Sequence, residues 1–210
     1  MTRREASKTA RAIAAFAARH CHTVARTVRH FGRDQRGVGA IEFALLFPIL
    51  LFAYLSALEM TLAFSVQKRA TSAASTVADL VSQKDDVSKS YLTSMVDVSK
   101  SLFVPYGTTG MVLTVTGIKI DSSSKASVLW SWKSDSGTPP YAAGSSVAVD
   151  SAMRNADTFL IHSEISIPHE LVTYVPTFSS SGATTITISR DYYFRQRVEN
   201  SSKTITCSDC

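Results

Sequence analysis

Cysteine is scarce: three occur in 210 residues, at Cys21, Cys207 and Cys210. A tetrahedral zinc site takes four ligands, and the single C-x-x-C at the chain end has no second pair to complete one. The spacings that carry catalysis or nucleotide binding are missing too. There is no G-x-S-x-G, no phosphate loop ending in Gly-Lys-Ser/Thr and no G-x-G-x-x-G. Nothing in the order of residues joins a nucleophile to a base and an orienting group. The sequence therefore makes no case for an enzyme, a metal or a cofactor. Acidic residues are few at the start: residues 1–37 hold nine Lys/Arg and two acids, a net +7, so the remainder carries −2 of the overall +5. Basic character resides in an N-terminal arm and not on a folded face, which argues against a nucleic-acid partner. No internal repeat is visible.

Long hydrophobic runs are also missing, with one exception. Apolar residues make up 45 % of the chain, ordinary for a globular protein and too few for several membrane spans. The exception runs from Phe43 to Leu58 without a charge, and extending it to Val38 and Val66 adds only Glu42 and Glu59. As a helix those residues would measure about 43 Å, where about 20 apolar residues suffice to cross a bilayer. Arg33 and Arg36 precede the run and Lys68 and Arg69 follow it. The larger basic excess lies upstream, which places the N-terminus in the cytoplasm and the C-terminal bulk outside. The run is longer than the apolar core of a cleaved secretory signal, and no A-x-A-like site follows it suitably, so an anchor that stays is expected. In the arm, Ile13, Phe16, Ala17, Val24, Val28 and Phe31 can share one helical face, which suits an anionic membrane surface and equally an organellar transit peptide.

After the span, Val66, Ala70, Ala73, Val77, Leu80 and Val81 fall on one helical stripe. Val87, Tyr91, Met95, Val98 and Leu102 continue at spacings of three and four, with a break expected in the polar stretch 82–90. Pro105-Tyr106-Gly107 ends the helical region. The period then becomes two. Segments 111–120, 126–132, 158–167 and 184–194 read as strands of an antiparallel sheet with one wet face, separated by Ser/Gly/Pro loops at 133–146 and 177–183. One long helix followed by several strands predicts an α+β fold, the helix packed on the sheet. The expected organisation is a basic leader over 1–37, a transmembrane helix over 38–66, a helical stalk over 67–105 and a β-rich outer domain over 106–210.

Several small constellations are weighed against plainer roles. Cys207 and Cys210 sit on a terminal tail without a helix N-terminus to stabilise a thiolate, so outside the cytoplasm a small structural disulfide is expected. Cys21 is then a reduced thiol without an assigned role. His162, Glu164 and His169 suggest metal ligands, but His162 and Glu164 fall on the polar strand face and Pro168 breaks the spacing, so solvated side chains are expected. Asp121-Ser122-Ser123-Ser124-Lys125 begins like a D-x-S-x-S metal loop, yet Lys125 stands where the last serine belongs, and a turn is expected. Asn200-Ser201-Ser202 matches the short N-glycosylation acceptor, a weak signal.

Glu42 is the residue that demands explanation. Insertion costs about 2.5–3.5 kcal/mol for a charged residue at the centre of a spanning helix and much less near its end. At the edge it would simply reach for water. Gly37 offers another account. Cutting after it would give Val38 a new α-amine, with Glu42 as residue five of the product and one turn away. Amine and carboxylate would neutralise each other, within a chain or between neighbours, more strongly in a low-dielectric bundle than in water.

The spacing Gly37–x4–Glu42–Phe43 resembles the prepilin-peptidase site of type IV-like pilins. The stretch "GAIEFALLFPILLF" is similar to the TadE/TadG-like pseudopilins of tight-adherence (Flp) pilus systems, through Glu42, Phe43, Ala44, Leu45 and Pro48. The resemblance is closest over residues 36–66 and weaker in "FLIHSEISIPHELVTYVP" and "YYFRQR". The leader is long beside many pilin leaders, and a cut at Gly39 would leave Glu42 at position three. The metal loop of longer TadG-type members is missing, so the shorter TadE type fits. The resemblance implies a non-catalytic, minor pilin-like component of a pilus assembly system, cleaved by a prepilin peptidase between Gly37 and Val38. Its implied site is the inner membrane of a bacterium, with a periplasmic C-terminal domain. Its implied partners are the peptidase, other pseudopilins, inner-membrane assembly proteins and the lipid bilayer. Glu42, Phe43 and Pro48 would serve assembly, and Ala53, Ser56, Ala57 and Ala63 offer small surface for helix contact. The alternative is an uncleaved single-span protein whose outer domain binds an envelope partner or ligand. A membrane-anchored enzyme is a third and weaker possibility.

Overall fold

The structure, a computed structural model, describes residues 37–135, 137–171, 185–197 and 204–210. The basic arm with Cys21, the loop at 177–183 and the Asn200 sequon lie outside the described residues. The chain divides into two units between Tyr54 and Leu55.

Helix α1 (Val38–Ser82) is 45 residues long with Pro48 inside it. Up to Tyr54 every side chain is exposed. Within the second unit the helix acquires a core face: Val66, Ala70, Ala73, Ala74, Val77, Ala78 and Val81 are buried. Spacings of three and four put them on one stripe, as the periodicity predicts, and this stripe shares one core with the sheet. The polar stretch after Ser82 breaks the helix as expected. It holds the short strand β1 (Asp86–Val87), paired in parallel with β6 (Thr206–Cys207). Helix α2 (Lys89–Phe103) follows. Ser88 caps it by accepting from the Tyr91 amide at 3.3 Å, and Asp209 from the chain end accepts from the Lys89 amide at 2.9 Å. At its other end Arg69 donates to the Leu102 carbonyl at 2.9 Å and lies over the Tyr106 ring. The buried face of α2 is Leu92, Met95, Ser99 and Phe103, with Tyr91, Val98 and Leu102 at its margin. The apolar pattern alone missed Ser99, which tolerates burial because its hydroxyl donates to the Met95 carbonyl at 2.8 Å. Residues 67–105, expected as a helical stalk, contribute core residues to the same unit as the sheet.

The main sheet has the order β3-β2-β4-β5 and is antiparallel throughout, from β2 (Val112–Ile120), β3 (Ala126–Lys133), β4 (Thr158–Glu170) and β5 (Thr185–Arg195). All four occupy the expected segments. The β2–β3 turn is the expected one: Asp121 accepts from the Ser123 and Lys125 amides at 2.8 and 2.9 Å, and Ser124 takes φ 58°. One face of the sheet joins the helical core through Leu113, Val115, Trp130, Trp132, Phe159, Ile161, Ile165 and Ile167. Trp130 donates its indole N–H to the Ile205 carbonyl at 2.7 Å, tying the C-terminal segment to this core.

The opposite face is not wet in the central strands, which corrects the expectation. Ile118, Ile120, Ala126 and Leu160 form a second core there with Val149, joined by Val147 and Met153 from the segment after β3. The cause is partly a bulge: Gly117 pairs with Trp130 but Ile118 with Val128, so Leu129 is skipped. That flips the parity of β3, leaving Trp130 on the first face and moving Val128 to the second.

Gly117 sits where the two aromatic residues need its missing side chain. A Cβ there would lie 2.6 Å from the Trp130 ring and 2.7 Å from Phe159. Gly117→Ala is expected to destabilise the outer domain by about 1–3 kcal/mol through overpacking. Urea unfolding of the detergent-extracted chain, followed by tryptophan emission, checks this.

Candidate functional site

The residues singled out for processing and assembly lie at the start of α1. Gly37 immediately precedes the helix, and a side chain at that position would meet nothing within 4 Å. Val38 begins the helix, so Glu42 stands one turn on along the same face. Glu42 is exposed, as are Phe43 at 63 % and Pro48. The Phe43 and Phe47 rings touch, with centroids 5.5 Å apart. Pro48 has no N–H to give residue 44, and its ring crowds that carbonyl, which frees a backbone acceptor in the middle of the apolar run. Ala53, Ser56 and Ala57 are exposed and Ala63 half-buried. This segment is apolar around its whole circumference, so it needs lipid or other helices to cover it. Among the described residues, α1 is the one helix long and apolar enough to cross a membrane.

The histidines are not solvated, a second correction. His162 is buried, its side chain only 3 % exposed. Its strand partner is Tyr193, and the two rings stack at 4.1 Å with an 8° interplanar angle. Glu164 pairs across the same strands with Asp191. The imidazole sits among these carboxylates: Nε2 is 3.3 Å from Asp191 Oδ2, and Nδ1 is 3.8 Å from Glu164 Oε2, too far for a hydrogen bond. Tyr141, from the loop after β3, donates to Glu164 Oε1 at 3.3 Å and helps cover the histidine. Sequence reasoning missed Tyr141, Asp191 and Tyr193 because strand register, not local spacing, brings them to His162. The group holds no serine or cysteine side chain. The neighbouring Ser163 is fully buried but points to the other face of β4.

His169 is held elsewhere, 3.4 Å from Glu59 of α1, each side chain 13 % exposed. His162 and His169 are therefore in separate environments, and no shared metal site forms from them. Beside His169 lies a cavity of ≈ 400 Å³ lined by Val66, Tyr106, Ile167, Pro168 and Glu170 among others. At the chain end Cys207 and Cys210 are joined in a disulfide. Both sulfurs are thereby used, so the nearby Asp209 completes no thiolate metal site with them.

Burial first, and then the negative charges of Asp191, an ionised Tyr141 and Glu164, push the Tyr193 phenol from its ordinary 10.0 up to about 12. Tyr141 is raised by burial and by Glu164. Above pH 10 the unfolded chain loses the Tyr193 proton that the folded chain keeps until about 12. The unfolded state then binds fewer protons, so stability falls as pH rises through this window. Tyr193→Phe is expected to flatten that fall, measured by urea midpoints between pH 9 and 12.

Comparison with known proteins gives one match, and it falls on the apolar helix. No curated protein and no solved structure matches the chain. Residues 37–79, from the glycine before α1 almost to its end, match the family model described as TadE-like protein.

Proposed function

We propose that the protein is a minor pilin-like subunit, a pseudopilin, used to assemble a tight-adherence pilus. The family tie is to Tad pilus-related components, and the observation that carries the finer proposal is where the match starts. It begins at Gly37, one residue before α1 and five before an exposed glutamate on a helix of membrane-spanning length. A prepilin peptidase would cut between Gly37 and Val38. The new amine would then balance Glu42 on its own chain or on a neighbour, which docks helices in register in the bilayer. Phe43 with Ala53, Ser56 and Ala57 would supply contact surface, and the carbonyl freed by Pro48 would be satisfied by an adjacent helix. The role is structural. It asks no chemistry of the outer domain, which would lie on the periplasmic side of an inner membrane, with other pseudopilins and membrane assembly proteins as partners. In that oxidising compartment the Cys207–Cys210 disulfide would persist.

Two measurements test this. The chain extracted from membranes of cells that contain the peptidase is expected to begin at Val38 by N-terminal sequencing. An intact N-terminus would favour the uncleaved, partner-binding alternative. Glu42→Ala is expected to insert and be cut normally but to abolish pili on the cell surface, counted by electron microscopy. Normal piliation would remove Glu42 from the mechanism.

A further inference from the structure

The apolar run ends at Val66, but its last part is already occupied. The first residue of α1 with any shelter is Leu55, and Val66 is a core residue of the outer domain, 3 % exposed. Between them Glu59 meets His169 at 3.4 Å. His169 lies at the end of β4, beside the cavity that Tyr106, Gly107 and Gly110 also line. The outer domain thus presents strand ends, turns and a carboxylate–imidazole pair at the level of Glu59.

Such groups do not sit in hydrocarbon. Irregular backbone facing lipid leaves its N–H and C=O groups unsatisfied, at several kcal/mol each. Were the span to end at Val66, about 12 Å of the outer domain's base would be drawn into the membrane core, at 1.5 Å per residue. Ending it at Leu58 leaves residues 38–58 in the bilayer. Those make a helix of about 31 Å, against a hydrocarbon thickness of about 30 Å. From these facts we infer that the outer boundary of the hydrocarbon lies between Leu58 and Glu59, and that the base of the outer domain, around Glu59, His169 and Pro168 and the turn Gly107–Gly110, rests directly in the phospholipid headgroup layer. No free stalk separates domain from membrane. This rests on the membrane-anchored reading of α1 and replaces the boundary expected from hydropathy.

The test uses the full chain, with Cys21→Ser, in open membrane sheets from a bacterial host. Single cysteines replace Leu50, Thr61 or Phe64, all exposed in the fold. Without reductant the Cys207–Cys210 disulfide does not react. A charged, membrane-impermeant maleimide is expected to label positions 61 and 64 at least about tenfold faster than position 50, because lipid excludes it. Equal protection at all three, with the chain still membrane-bound, overturns the boundary and leaves the anchor standing. Fast labelling at all three, with release by carbonate, overturns the anchor and the boundary together. The unsubstituted chain supplies a second measurement. A lipid-phase diazirine is expected to tag residues up to Leu58 and to spare Met60 and Phe64. Tags on the last two would also overturn the boundary.

Discussion

The apolar beginning of α1 has no cover of its own, and that constraint governs where the segment can sit. Between Val38 and Tyr54, eleven large apolar side chains are exposed. Burying one fully gains about 1.5–3 kcal/mol, so even half of that for each sums to the order of 10 kcal/mol. This rivals the whole stability of an ordinary domain, about 5–15 kcal/mol. It also exceeds the insertion cost of one acid near the helix end. Transfer out of water therefore governs where this segment sits, and Glu42 is a perturbation on it, not an obstacle.

The β-rich domain solves a different problem with the same helix. Its share of α1 contributes small residues to one buried core with α2 and the sheet. The last seven residues act as a clasp. Ile205 is fully buried and accepts from Trp130, Thr206 donates to Asp86 at 2.7 Å, and Asp209 takes the first free amide of α2. Each contact joins segments about 75 to 120 residues apart in sequence. The Cys207–Cys210 link closes a small ring around Asp209, limiting the positions its carboxylate can take at the helix N-terminus, where a negative group is favoured.

How much of this is written locally in the chain differs by element. The helix after Val66 is legible because its apolar residues repeat at three and four, and the four strands because theirs repeat at two. The break after Ser82 follows from a run of polar residues. What is not legible depends on pairing over distance. Nothing near Leu129 announces a bulge, yet it decides which side of the sheet Val128 fills. His162 alternates with Ile161 and so reads as a wet residue. It is dry because Tyr193 stacks on it and Tyr141 caps it, and both arrive through register and loop path. At the candidate site the contrast is similar. Gly37, Glu42, Phe43 and Pro48 stand out by type and spacing, whereas Glu59 gains meaning only once His169 is seen beside it.

The two glutamates of the apolar run divide the helix between two environments. Glu59 lies 3.4 Å from an imidazole that the fold supplies at the end of β4. Glu42 is exposed, and no described residue forms an ion pair with it. A carboxylate at the headgroup level needs no partner, but one drawn deeper does, and its partner must then come from outside the described fold. Under the proposed cleavage, a chain end at Val38 would meet that need: its charge would be opposite and it would lie one helical turn away. The uncut chain would leave the acid unbalanced in a bundle, and the cut chain would not. On that proposal, the helix would distinguish processed from unprocessed subunits by electrostatics, at the first step of packing one apolar helix against another.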